Sequence, residues 1–275
     1  MVSDDLMQEN KNTTIVDASN GSIEDTIKIA LQTHGGLKRF ISEGDQVLLK
    51  PNFNTGDPFP ASTDPDFLHT IAKMVLELTT NVSIIESSML RLKTEEVINT
   101  IMGDRLKKLK IPLITELDFK YIEIDLKSLG AQHLRKVKLP DQILNPETKI
   151  ILLPCLKTHF VAHYTGALKL AVGFMGKKQR IRLHMSRRVP EKVAELNLGY
   201  KPNLIIMDAR KIFVTKGPMN GQIEFPQKIL VGTNRTSIDI EGVKIIQSYG
   251  ADNKLQDMKP KEVRTVKHAL ELEIE

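Results

Sequence analysis

Tryptophan is absent from this 275-residue chain, cysteine occurs once, and aromatic residues make up only 5% of it. One cysteine excludes an internal disulfide and any cluster held by several thiolates. That residue, Cys155, lies inside an apolar, β-branched run, where a thiol behaves as a small inert hydrophobe. The scarcity of aromatics leaves no stacking series of the kind nucleic-acid readers use. No apolar run approaches the length of a membrane span, so no membrane partner is expected. The opening residues Met1-Val2-Ser3-Asp4-Asp5-Leu6 lack the basic and apolar regions of a signal peptide. These absences together indicate a cytoplasmic protein. The glycines spell neither a Walker loop nor a dinucleotide fingerprint. Ser87 and Ser88 lack the pattern of a nucleophile elbow.

What is present is ordinary in amount and uneven in placement. Hydrophobic residues are 41% and charged residues 27%, which suits a soluble globular chain able to bury a full core. The formal charge is +5. Lys177, Lys178, Arg180, Arg182, Arg187 and Arg188 crowd into one dozen residues around His184. Such a basic loop is either a solvated surface or the contact for an anionic partner. With no aromatic series or reader motif beside it, nucleic acid ranks behind a small anionic ligand.

Short apolar runs alternate with helical periodicity. Strands are expected at Thr14–Ala18, Gln46–Leu49, Asn81–Ile85, Ile150–Leu153, Asn203–Met207 and Lys228–Gly232. Between them, helices start at Ser22, at Asp64 with Pro65 in the first turn, at Thr94, at Thr165 and near Thr236. Pro260 is expected to start a terminal helix. Residues 111–145 break into short alternating pieces, which read as a small β-rich insertion. The expected fold is a single α/β domain over residues 1–275, a doubly wound, mainly parallel sheet with helices on both faces.

In such sheets the ligand crevice lies outside the carboxyl ends of the strands. Strand after strand here ends in polar residues: Lys50/Asn52, Glu86/Ser87/Ser88, Lys157/Thr158/His159, Asp208 and Thr233/Asn234. Thr165 is expected to cap a helix whose free N–H groups, together with Lys169, suit an anion. The residues expected to hold the ligand are Lys50, Asn52, Ser87, Thr158, His163, Thr165, Gly166, Lys169 and His184. Those expected to carry chemistry are Lys157, His159 and Asp208, with His159 as proton carrier because its pKa lies near neutrality. His159 and His163 stand four apart, as zinc ligands on a helix do. The strand pattern, Pro154, the missing carboxylate and the cations around His184 argue against a metal.

Several of these stretches carry a resemblance. Val47-Leu48-Leu49-Lys50-Pro51-Asn52, Leu153-Pro154-Cys155-Leu156-Lys157-Thr158-His159, Thr165-Gly166-Ala167-Leu168-Lys169 and Gly217-Pro218 through Gly221 resemble, in order and spacing over about residues 44–250, the domain of unknown function 362 family. The resemblance implies an α/β domain of unestablished chemistry, in relatives often joined to a ferredoxin-like iron–sulfur segment. One cysteine cannot hold a four-iron cluster. The chain also departs from the pattern at Leu170, where asparagine is usual, and at Ala209, where glycine is usual. Two functions are therefore expected. One is an enzyme acting on a phosphate- or carboxylate-bearing small molecule. The other is a non-catalytic binding protein for an anionic ligand, nucleic acid or a redox partner through residues 177–188. The sequence names no cofactor.

Overall fold

The short β-branched runs form strands, and the periodic segments pack as helices over them. The computed structural model describes residues 7–10 and 13–275. Met1–Leu6, read above for the absence of a leader, lies outside the described residues. The strands are β1 Met7–Asn10, β2 Thr13–Asp17, β3 Val47–Lys50, β4 Val82–Ile85, β5 Leu113–Ile114, β6 Tyr121–Asp125, β7 Lys136–Pro140, β8 Lys149–Leu152, β9 Lys157–His159, β10 His163–Thr165, β11 Leu204–Ala209, β12 Ile212–Phe213, β13 Ile223–Glu224 and β14 Lys228–Gly232. The helices are α1 Ile23–Gln32, α2 Pro65–Leu76, α3 Thr94–Met102, α4 Arg105–Lys108, α5 Ala167–Leu170, α6 Lys177–His184, α7 Val189–Leu196, α8 Arg235–Gln247 and α9 Arg264–Glu271.

Eight strands form the central sheet in the order β1-β2-β14-β11-β8-β3-β4-β5. The neighbours β11, β8, β3, β4 and β5 are all parallel. β14 runs antiparallel to both β11 and β2, so β2 points the same way as the parallel block. The sheet is therefore mainly parallel, as expected. Its inner strands are buried on both faces, which is why they read as continuous apolar runs.

The period of two is visible in the packing. Leu48, Ile150, Leu152, Ile205, Met207 and Leu230 enter one core with residues of α5, α7, α8 and α9. Their chain neighbours Val47, Leu49, Ile151, Leu204, Ile206 and Ile229 enter a second core with α1, α2 and α3. Helices thus cover both faces. Within residues 111–145, β5 joins the sheet edge, while β6 and β7 pair separately as a hairpin.

Four expectations change. Because β14 is antiparallel to β11, Thr233 and Asn234 end at the opposite edge of the sheet from the other strand ends. There Asn234 caps α8 by accepting from Ser237 N at 2.8 Å. Thr94 is the first helical residue, not the cap; its hydroxyl accepts from Ser88 N at 2.9 Å and donates to Glu116. Thr165 ends β10, and Gly166 takes the capping position of α5. The polar loop expected after Lys157 is a hairpin, with His159 opposite His163.

Candidate functional site

At the carboxyl end of β3, Lys50 turns inward and stays 1% exposed. A buried ammonium needs partners. It donates to Glu86 Oε1 at 2.7 Å and Pro51 O at 2.8 Å, and stands 5.6 Å from the Phe174 ring centroid. Glu86, just past β4, also accepts from Ser87 N and Phe53 N, each at 2.7 Å. Burial lowers the Lys50 pKa, opposed by Glu86. Gly173 provides the room: a Cβ there would lie 2.9 Å from Lys50 Nζ.

After β8 the chain leaves the sheet and lays Lys157 into the interior. Its ammonium donates to the carbonyls of Pro60 and Ala61, both at 2.8 Å, and has no carboxylate partner among the described residues. Burial lowers its pKa. His159, two residues on, accepts at Nδ1 from Val161 N and Ala162 N, both at 3.1 Å. Those bonds place the proton of the neutral ring on Nε2. Burial, with Lys169, His184 and Lys157 nearby, holds this imidazole far below the usual histidine range. His159 is thus a fixed N–H donor, with the lone pair a general base would need already occupied.

The start of α5 is not an open anion site. Asp239, buried on α8, accepts from Ala167 N at 2.6 Å, Leu168 N at 3.1 Å and Tyr164 Oη at 2.8 Å. The anion expected at this helix end is supplied from within. Gly166 permits the approach, since a Cβ there would lie 2.3 Å from Asp239 Oδ1. Burial pushes the Asp239 carboxyl up to about 7. Lys169, held on this turn, has no hydrogen-bond or ion-pair partner among the described residues. Burial, then Lys157 and Arg180, push its amine down to about 8.

The basic segment expected as a loop begins as helix α6. Arg180 is buried and donates to Ser87 O at 2.8 Å, Ser87 Oγ at 2.5 Å and Ser88 O at 3.0 Å. His184, one turn later, donates from Nδ1 to Arg180 O at 2.8 Å, which leaves Nε2 as the acceptor of its neutral ring. Lys177 pairs with Glu116 at 2.6 Å. Together these elements enclose a cleft of about 440 Å³, a size typical of small-molecule sites. Five cationic side chains line it (Lys50, Lys157, Lys169, Lys177 and Arg180) against one carboxylate, Glu86. The Thr165 hydroxyl, also in the lining, is buried with no partner among the described residues.

Of the residues expected from sequence, Lys50, Asn52, Ser87, Lys157, His159, Thr165, Lys169 and His184 line this cleft. Asp208, Thr158, His163 and Gly166 do not. Asp208 is fully buried and held by Arg210 through Nε at 3.0 Å and Nη2 at 2.7 Å; Arg210 also reaches Asp64, the cap of α2, at 3.2 Å. It ties β11 to α2 and is not available to a ligand. Thr158 Oγ1 accepts from Gly217 N at 3.1 Å, holding the strap that carries Pro218 and Met219 to the rim. His163 is half-buried, with φ at 69° and Nδ1 unpartnered among the described residues. Glu86, Arg180 and Asp239 were not among the expected site residues. All three had a signal: Glu86 stands at a polar strand end, Arg180 is one helical turn before His184, and Asp239 is an acid in the apolar stripe of α8.

Away from these residues, His133, Glu195 and His268 gather in a group, with ligand atoms within 4.8 Å of one another. It stands apart from the cleft, and Glu195 already accepts from the backbone N–H groups of Gln132, His133 and Leu134. Its role is to clamp that loop between α7 and α9. No helix among the described residues is long and apolar enough to cross a membrane.

The profile of a family described as a domain of unknown function, DUF362, matches residues 47–244. A thylakoid-associated protein of Synechocystis sp. is 27% identical over 208 residues, covering 73% of this chain. The chain spans 63% of that relative's length. Two solved structures are similar to parts of this chain. The lactate racemase apoprotein of Thermoanaerobacterium thermosaccharolyticum has a TM-score of 0.49 and 14% identity, over 82% of this chain and 56% of that one. A structural-genomics protein of Thermotoga maritima has a TM-score of 0.45 and 8% identity, over 85% and 59% of the two chains.

Proposed function

This chain belongs to the domain of unknown function 362 family, and we propose that it is an enzyme acting on a phosphate- or carboxylate-bearing small molecule held in the cleft. One observation carries the reading: unsatisfied donors converge in a single cavity. Among the described residues Lys169 has no counter-charge, the Thr165 hydroxyl is buried without a partner, and His159 can offer only Nε2–H. An anion completes all three. Lys157 and Arg180 already have uncharged protein partners and supply positive potential behind them, while Lys50 is compensated by Glu86. The group able to move a proton is Lys169, whose amine burial pushes down to about 8.

A second reading, a non-catalytic anion-binding protein, is favoured by the locked state of two expected proton carriers. His159 has its acceptor nitrogen filled, and Asp208 is bound to Arg210. Turnover lost in Lys169→Met would mark the enzyme; a ligand recovered chemically unchanged would mark the binding protein. Nucleic acid fits less well, because Arg180 of the basic segment points into the interior and Lys177 is paired. The one cysteine is buried, which suits a reducing compartment such as the cytoplasm.

Sulfate tests the reading, because its charge is constant across the relevant pH range. Calorimetric titration at pH 7 should show Lys169→Met binding at least about tenfold more weakly than wild type, a loss of roughly 1.4 kcal/mol or more. A bound anion favours the ammonium form. Wild-type affinity should therefore hold below pH 8 and fall as pH rises through about 8. The variant should lack that break. Equal affinities with the same pH profile would remove Lys169 from the site.

A further inference from the structure

The cationic floor of the cleft is bordered by an apolar rim. Among the described residues twelve large hydrophobic side chains are exposed, and six of them, Met89, Leu90, Phe160, Ile181, Met185 and Met219, line this one cleft. Met185 is 81% exposed and Phe160 62%. These residues come from four separate segments: the turn after β4, the β9–β10 turn, α6 with its C-terminal cap Met185, and the strap at residues 217–219. Isolated exposed hydrophobics are normal, but several converging from distant parts of a chain mark a binding surface. Phe160 stacks on the His159 ring at 5.0 Å between centroids, so the rim begins directly beside the N–H donor of the floor. Leu170 and Val172 continue the apolar lining inward.

We infer that the natural ligand is an amphiphile: one anionic head, carboxylate or phosphate monoester, seated against Lys169, Thr165 and His159, and an extended apolar body laid along the rim. The inference rests on the anion reading above and adds to it the chemical class of the rest of the molecule. A small polar anion would leave the six side chains in water and use only the floor. A cavity of about 440 Å³ is larger than an inorganic anion needs and fits a head group with a body attached. Three of the six rim residues are methionines, whose flexible thioethers adapt to an apolar partner of variable shape.

The test is a series of inorganic phosphate, butyl, hexyl and octyl phosphate, and octanol, each titrated calorimetrically into the full chain below its micelle concentration. Affinity should rise about two- to fourfold per methylene, so that octyl phosphate binds roughly 15- to 250-fold more tightly than butyl phosphate. Octanol should bind far more weakly than octyl phosphate. Ile181→Ser and Met185→Ser, both at exposed positions where folding is not at risk, should flatten the rise with chain length. Equal affinity for phosphate and all its alkyl esters would overturn the amphiphile and leave the anion reading standing. Octanol binding as tightly as octyl phosphate would overturn the anionic head, and the anion reading with it. Retention on phosphatidylglycerol vesicles with no binding of monomeric octyl phosphate would assign the rim to a bilayer surface and also overturn the proposal.

Discussion

Glu86→Gln is expected to destabilise the folded protein by about 3–5 kcal/mol, the cost of removing one partner from a buried ion pair. At 1% exposure Lys50 would keep Pro51 O, the Phe174 ring and at most the amide oxygen, with its positive charge uncompensated. Glutamine cannot replace the carboxylate fully. Both carboxylate oxygens face donors, Lys50 Nζ and Ser87 N on one side and Phe53 N on the other. Either orientation of the amide therefore brings an NH₂ against an N–H. A domain of this kind has about 5–15 kcal/mol in total, so the loss is a large fraction of it. The double variant Lys50→Met/Glu86→Gln removes both charges and should recover much of the loss. Urea unfolding of the three proteins measures this. A single-variant cost below about 1 kcal/mol would show that the pair is not closed as described.

Asp239→Ala is expected to act on both stability and binding. It strands three buried donors, Tyr164 Oη and the N–H groups of Ala167 and Leu168, at a cost of about 1–3 kcal/mol at pH 5. That cost should shrink with rising pH. In the folded protein burial pushes Asp239 up to about 7, while in the unfolded chain the carboxyl titrates near 4. Between those values the folded state binds more protons than the unfolded state, so wild-type stability falls as pH rises from about 4 to 7 and levels off above. The alanine variant lacks this slope. Because Asp239 fixes the turn that carries Lys169, the variant should also bind sulfate more weakly. Stability curves at pH 4.5, 6 and 7.5 that run parallel for the two proteins would refute the assignment.

Much of the fold was legible because the strands are apolar on both faces and their ends are marked by charge. Ser22, Asp64 and Asn234 illustrate the local signals: two were anticipated as helix starts, and each accepts from the N–H three residues on. Strand direction was not legible. Nothing in Lys228–Gly232 distinguishes a parallel from an antiparallel strand, so Thr233 and Asn234 were placed at the wrong edge. The site was legible where a residue follows a strand directly, as Lys50 and Lys157 do. It was not legible where a partner comes from far along the chain. Asp239 fills the α5 terminus from 72 residues beyond Ala167. The role of His159 turned on two backbone N–H groups that no side-chain pattern encodes.

The central claim is that one anion sits in the cleft against Lys169 and Thr165. The most direct measurement is a crystal structure of the protein soaked in selenate, located by its anomalous signal. A selenium peak is expected in the cleft, with selenate oxygens within hydrogen-bond distance of Lys169 Nζ, Thr165 Oγ1 and His159 Nε2. Anomalous peaks confined to surface lysines and arginines outside the cleft would contradict it.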